Sequence, residues 1–277
     1  MKDRVDRILD LALAEDIGLG DVTTLATVDP SARGVAVMRA KQACVVAGLP
    51  VAARVFQRVE PRAAFEALVK DGDEVVEGVE VARVEGPLCG ILTAERTALN
   101  FVQRLSGVAT LTRRYVRELE GTGARIVDTR KTTPGHRMLE KMAVVVGGGA
   151  NHRWALDSGV LIKDNHLAAA GGVGEALRRA RAAAPHLLRI EVECKTLAQV
   201  EEAVACGAEA VLLDNMRGDT LAEAVRIARG RALIEVSGGV TLETVRSLAL
   251  PGVDLISAGA LTHSAGSIDI SLDVEGA

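Results

Sequence analysis

Aromatic side chains are nearly missing from this chain: 277 residues include one Trp, one Tyr and three Phe. A surface that stacks nucleic-acid bases needs aromatic faces, so composition argues against that partner, and the core must be built from Val, Leu, Ile and Ala. There are four cysteines, at positions 44, 89, 194 and 206, and none forms a C-x-x-C pair. That argues against a disulfide framework or a zinc site and for buried free thiols in a reducing compartment. No apolar run approaches the roughly 20 residues of a membrane span. The opening MKDRVDRILD is too charged for a secretory leader, so the expected location is the cytoplasm, without a membrane partner. An excess of positive charge is also absent, with 33 Lys+Arg against 37 Asp+Glu. A binder of nucleic acid or of an anionic membrane surface usually carries the opposite balance.

What is present is enough apolar material, 48% of the residues, for one large domain or one large and one small. Val5, Ile8, Leu9, Ala12 and Leu13 recur at helical spacing, which predicts a helix over 3–14 that Gly18 and Gly20 bring to an end. Residues 33–86 are Val-rich and punctuated by Gly and Asp-Gly, the pattern of short antiparallel strands. From Thr93 to Leu119 the period is helical again, with Thr93 as the expected N-cap and Glu95 in the first turn.

Beyond residue 124 short apolar runs alternate with Ala/Glu/Arg-rich helical stretches. RIVDT, GVLIK, RIEVE, AVLLD, ALIEVS and VDLISA are each brief, continuous and bounded by turns, as buried parallel strands are. The intervening segments read as crossover helices with Thr196, Thr220 and Thr241 as N-caps. Glu193, Asp214, Ser237 and Ser257 follow one another at intervals of 20 to 23 residues, each at the C-terminal end of a strand. This βα repeat predicts an α/β fold with a parallel barrel, or failing that an open doubly wound sheet. The tail SIDISLDV alternates like one more strand and is expected to return to the N-terminal sheet.

In either architecture the carboxyl ends of the strands form the site. Arg130, Lys131, His152, Arg153, Lys163, Glu193, Lys195, Asp214, Ser237 and Ser257 collect there. Between residues 128 and 166 there are six Lys+Arg against four Asp+Glu, with three of the five histidines. Several cations converging on a partly dry cleft suit a polyanionic ligand. Each feature also has an ordinary reading. Arg130 and Lys131 could be a solvated strand end, and Glu191 and Glu193 could pair with Lys195 or a neighbouring Arg. VSGGV and ISAGAL could be plain turns, but small residues ending two late strands also expose backbone N–H groups to a phosphate. The histidines lack metal-ligand spacing. Glu193 and Asp214 could serve Mg²⁺ or sugar hydroxyls. These residues together suggest transfer or isomerisation of a phosphosugar.

The segments LAEDIGLGDVTT (13–24), ERTALNFVQRLSG (95–107), DTRKTTPG (128–135), GGGANHR (147–153), LIKDNH (161–166), EVE (191–193), LLDN (212–215), SGG (237–239) and SAGALTHS (257–264) resemble the quinolinate phosphoribosyltransferase family across nearly the whole chain. The resemblance implies an N-terminal α/β sandwich domain (1–110, joined by the tail 266–277), an incomplete α/β barrel (111–265) and a homodimer. It implies transfer of phosphoribose from phosphoribosyl pyrophosphate to quinolinate with loss of CO₂, assisted by Mg²⁺, in NAD synthesis. By motif, Arg130, His152, Arg153 and Lys163 would meet the quinolinate carboxylates, and Thr129 and Lys131 would lie in the same substrate site. Glu193 and Asp214 would hold the ribose hydroxyls and the metal, and Lys163, Glu193 and Asp214 would be the catalytic set. Ser237, Gly238, Gly239, Ala258, Gly259 and His263 would cradle the 5′-phosphate, and Arg96 would reach a partner subunit's site. The sequence departs from the family pattern at His136 (Leu expected), Met142 (aromatic expected) and Val145-Val146 (often Arg-Cys). The alternatives are a pyrophosphorylase-like paralogue associated with molybdate transport, or a barrel that binds a phosphate ligand without catalysis.

Overall fold

The computed structural model describes residues 2–275, which fall into two compact units. The first comprises the chain up to Arg113, Thr132–Gly148 and the chain from Ser264 onward. Thr132–Gly148, which the sequence reading left in the barrel, groups with this unit instead. Its helices and strands are α1 (Lys2–Ile17), α2 (Val22–Thr27), β1 (Arg33–Ala40), β2 (Cys44–Val45), α3 (Leu49–Val59), β3 (Ala64–Ala67), β4 (Glu74–Val75), β5 (Glu80–Pro87), the first part of α4 (Leu88–Glu118), α5 (Arg137–Val146) and the C-terminal strand Ile270–Val274. Four strands form an antiparallel sheet in the order C-terminal strand, β1, β5, β3, so the tail lies along β1 with Ala36 opposite Val274. The apolar face of α3 buries Leu49, Val51, Ala52, Val55 and Phe56. Phe56 stacks on Phe65 at 5.9 Å, so two of the chain's few aromatics are spent on this core.

Buried polar groups fix the chain path in this unit. The Asp71 carboxylate accepts the Gly48 and Leu49 amides at 2.9 and 3.1 Å and so satisfies the start of α3. Glu140 is fully buried. It accepts from Arg104 Nε and Nη2 at 3.2 and 2.7 Å, and from the Thr133 amide and hydroxyl at 3.0 and 2.7 Å. Arg104 Nη1 in turn donates to the Ala265 carbonyl. One carboxylate therefore ties together α4, the 132–136 turn and the returning tail. At Gly107 a β-carbon would stand 1.9 Å from the Gly266 carbonyl oxygen, so only glycine permits that approach.

Thr93 does not cap α4. The helix starts at Leu88, directly after Pro87 ends β5. Thr93 lies one turn inside and donates its hydroxyl to Asp21 Oδ2 at 3.2 Å. Asp21 is the N-cap of α2 and also accepts the Thr24 amide at 3.0 Å.

The second unit comprises Arg114–Lys131 and Gly149–His263. It contains β6 (Arg125–Val127), β7 (Val160–Ile162), α6 (Asp164–Ala170), α7 (Val173–Ala183), β8 (Ile190–Cys194), α8 (Leu197–Ala205), β9 (Ala210–Asp214), α9 (Gly218–Ala228), β10 (Leu233–Ser237), α10 (Leu242–Leu248), β11 (Leu255–Ser257) and α11 (Ala260–His263). All six strands are parallel, in the order β6, β11, β10, β9, β8, β7. β6 and β7 stand at opposite ends of that order, so the ring does not close. This is an incomplete α/β barrel.

Thr196 and Thr241 cap α8 and α10. Thr196 Oγ1 accepts the Gln199 amide at 3.2 Å, and Gln199 Oε1 accepts the Thr196 amide at 3.2 Å. Thr220 does not cap α9, which begins two residues earlier with Arg217 as its cap. There the Arg217 guanidinium folds back onto the Met216 and Gly238 carbonyls, which turns the chain before Thr220 is reached.

The strand register sorts the inward side chains into layers, as in a closed barrel. Glu191 is level with Leu161 and Ala210, and Glu193 is level with Leu212. Glu235 is level with Leu212 and Leu255, and Ser237 is level with Asp214. The polar members increase toward the C-terminal ends, where the site lies.

Candidate active site

At those ends the second unit encloses a cavity of about 510 Å³, a volume suited to a small-molecule site. One wall is cationic. Arg130 follows β6, Arg153 follows the glycine-rich segment, and Lys163 follows β7; all three line the cavity with His152. Arg153 Nη1 donates to the Gly159 carbonyl at 3.0 Å, which fixes the guanidinium. Burial, and then the charge of Arg130 beside it, lower the Arg153 pKa, with Glu191 acting in the opposite sense. Two guanidiniums held together and shielded from water are stabilised by an arriving anion.

Beside Lys163 the cavity has two carboxylates at the ends of adjacent strands. Glu193 Oε2 is 3.2 Å from Lys163 Nζ, and Asp214 stands one layer higher on β9. Lys195, the partner considered for Glu191 and Glu193, instead meets Asp164 at 2.6 Å, while Glu191 meets His152.

The third part of the cavity is backbone. Gly238 and Gly239 follow β10 with φ of +88° and +54°. A β-carbon on Gly238 would fall 2.2 Å from Asn215 Oδ1, and Asn215 is itself left-handed at φ 58°. Together the positive φ and the lack of room require glycine at 238. The resulting turn presents bare backbone to the cavity.

Lys131 has its amide donating to Thr129 Oγ1 at 3.0 Å and its carbonyl accepting from Thr262 Oγ1 at 2.8 Å. A β-carbon on Gly259 would stand 2.9 Å from Lys131 Cδ and 3.0 Å from His263 Nε2. Lys131, Gly259 and His263 are therefore gathered at one point although residue 131 is far from 263 in the chain. Ala258 is buried, with its amide on the Val127 carbonyl at 3.0 Å.

Of the residues singled out from sequence, Thr129, Arg130, Lys131, His152, Arg153, Lys163, Glu193, Asp214, Ser237, Gly238 and Gly239 line the cavity. Ala258, Gly259 and His263 stand behind Lys131. Arg96 is exposed on α4 in the first unit and is not among the lining residues. Ser257, also singled out at a strand end, lines the cavity too, whereas sequence reading missed Glu235, Leu161 and Leu212. The available signal was the two-residue alternation of β10, which puts Glu235 on the same face as Ser237.

The description "Quinolinate phosphoribosyl transferase, C-terminal domain" matches residues 108–273, and its N-terminal-domain counterpart matches residues 21–106. The chain belongs to the quinolinate phosphoribosyltransferase family. It is 42% identical over 271 residues to the probable nicotinate-nucleotide pyrophosphorylase (carboxylating) of Bacillus subtilis, covering 98% of this chain and 93% of that one. It is 45% identical over 273 residues to the Synechocystis protein of the same name, covering 98% and 92%. The crystal structure of NadC from Streptococcus pyogenes superposes with a TM-score of 0.95 at 41% identity, over 99% of this chain and 98% of that one. The family departures fall in the first unit. His136 stacks on Phe101 at 5.9 Å, and Met142 and Val145 are exposed on α5. None of them is among the residues that line the second unit's cavity.

Proposed function

We propose that this chain transfers the phosphoribosyl group of phosphoribosyl pyrophosphate to the ring nitrogen of quinolinate, releasing pyrophosphate and CO₂ and leaving nicotinate mononucleotide. The observation that carries this reading is the division of one cavity into three parts: a cationic wall, a carboxylate pair and a glycine turn. Arg130, Arg153 and Lys163 suit the two carboxylates of quinolinate, since Arg grips a carboxylate through two parallel N–H bonds. Gly238, Gly239 and Ser237 suit the 5′-phosphate, with Lys131, Gly259 and His263 beside it.

The carboxylates complete the chemistry. As the bond from the ribose anomeric carbon to pyrophosphate breaks, positive charge develops on that carbon, and Glu193 and Asp214 lower its energy. The ring nitrogen gives its lone pair to the same carbon and becomes positive. The C2–carboxylate bond then breaks, its electron pair stays on C2 next to the cationic nitrogen, CO₂ leaves, and C2 takes up a proton. No protein nucleophile is needed.

Two oxygen donors at the cavity edge fit Mg²⁺, which accepts few protein ligands and completes its shell with substrate phosphate and water. Glu193 and Asp214 would hold it, and when bound it neutralises the departing pyrophosphate. Following the family resemblance, the working unit is a homodimer in which Arg96 serves the partner's cavity. No helix among the described residues is long and apolar enough to cross a membrane, which is consistent with a cytoplasmic enzyme.

The direct test supplies quinolinate, phosphoribosyl pyrophosphate and Mg²⁺ and measures all three products. Nicotinate mononucleotide, pyrophosphate and CO₂ should appear in equal amounts. Pyrophosphate without CO₂, or no product at all, overturns the reading.

A further inference from the structure

At the floor of the cavity His152 meets two carboxyl groups that the reaction above leaves without a role. His152, Glu191 and Glu235 bring one donor atom each to within 4.8 Å of one another. His152 Nε2 is 3.1 Å from Glu191 Oε2 and 3.5 Å from Glu235 Oε2. The imidazole's other nitrogen is occupied, because the Arg153 amide donates to Nδ1 at 2.7 Å. Nδ1 therefore carries the lone pair, and the ring proton sits on Nε2, facing the two carboxylates. The His152 amide donates to Asp128 Oδ1 at 2.9 Å, so the ring and the backbone leading into Arg153 are held from both sides.

One N–H cannot satisfy two ionised carboxylates in this place. Glu235 is 1% exposed, with Leu212 of β9 and Leu255 of β11 level with it. Glu191 faces it from β8, His152 and Arg153 from the segment after β6, and the Ser257 hydroxyl from β11. Arg189 lines the adjoining space of about 310 Å³ at the amino end of the strands. An acid this deeply buried beside a second carboxylate is more stable with its proton on.

We propose that Glu235 is a positioning residue for the acidic substrate, keeping its own proton in this buried place so that the floor below His152 and Arg153 carries one negative charge and not two. The proposal rests on the reading of the cavity as a quinolinate site. A second charge there would compete with the substrate for Arg153 and would repel a dianion at close range. The Glu235 carboxyl supports this: burial, and then Glu191 beside it, push it up to about 8, against smaller opposing effects of His152 and Ser257. It is neutral below that pH and gains its charge as pH rises through it.

The test measures quinolinate affinity of the full-length protein by calorimetry between pH 6.5 and 9.5, for wild type, Glu235→Gln, Glu235→Ala and Glu191→Gln. Wild-type Kd should rise about threefold to tenfold between pH 7 and pH 9. Glu235→Gln, which keeps a neutral hydrogen-bond donor in place, should show no such rise and should bind more tightly than Glu235→Ala. Glu191→Gln removes the neighbouring charge and should move the rise to lower pH. A rise of the same size at the same pH in Glu235→Gln overturns the proposal, as does a wild-type Kd that does not change. If the variants fail to fold, infrared spectroscopy of the unmodified, unliganded protein decides. A protonated-carboxyl band present at pH 7 and gone by pH 9.5 supports the protonated Glu235, and its absence at pH 7 overturns it. Loss of nicotinate mononucleotide formation by the wild type would be a separate failure, that of the quinolinate reading.

Discussion

On the proposed reading, substrate choice turns on Arg153. It is half-buried, held by the Gly159 carbonyl and depressed in pKa first by burial and then by Arg130. Removing a cation that pairs with a shielded carboxylate costs about 2–5 kcal/mol, so Arg153→Ala should lower kcat/KM for quinolinate by roughly thirtyfold or more. Steady-state kinetics with phosphoribosyl pyrophosphate saturating checks this, and a loss below threefold would remove Arg153 from the acceptor wall. Glu193 and Asp214 have a different signature. If they stabilise charge that exists only during bond breaking, Glu193→Gln and Asp214→Asn should depress kcat more than they raise KM for quinolinate. The reverse pattern would make them ground-state ligands, and a collapsed melting temperature would make them structural. Many of these residues were legible in the sequence because a charge ending an apolar strand has few reasons to be there. The alternation of β10 was enough to put Glu235 on the inward face with Ser237, but the pairing of Glu191 with His152 was not legible. It depends on which strands adjoin and which layer each side chain occupies, and does not follow from a single strand's pattern.

The repeating elements of the barrel are the part most open to sequence reading. Each strand is a short buried run, and Thr196 and Thr241 mark helix starts through a local hydrogen-bond exchange that needs no tertiary information. Thr93 and Thr220 resemble the same signal and are not caps, because α4 and α9 begin earlier, at Leu88 and Gly218. Thr132–Gly148 was harder still. Its anchor is a buried carboxylate, Glu140, whose partner Arg104 is distant in the chain and itself reaches the Ala265 carbonyl. Breaking a buried pair by removing one member strands the other and costs about 3–5 kcal/mol. Glu140→Ala should therefore lower the unfolding free energy by that amount, seen as a lower denaturant midpoint at an unchanged slope. A loss under 1 kcal/mol would show that the Arg104 charge finds another partner.

For the whole molecule, the family assignment and the open barrel leave one question about Arg96, which is exposed on α4. If each site of a two-fold dimer borrows Arg96 from its partner, Arg96→Ala and Glu193→Ala should each be nearly inactive alone. Mixed and allowed to exchange subunits, they form about half hybrid dimers, each with one complete site, so activity should recover to about a quarter of wild type. Exchange verified by mass with no recovery would confine Arg96 to its own subunit. The central claim is that the cationic wall is shaped for two carboxylates, and acceptor competition tests it most directly. Quinolinate and nicotinate are offered together at equal concentration with phosphoribosyl pyrophosphate and Mg²⁺, and CO₂ is measured against total pyrophosphate. The account predicts one CO₂ for each pyrophosphate, with nicotinate hardly used. Pyrophosphate released in clear excess over CO₂, from equal turnover of nicotinate, would contradict it.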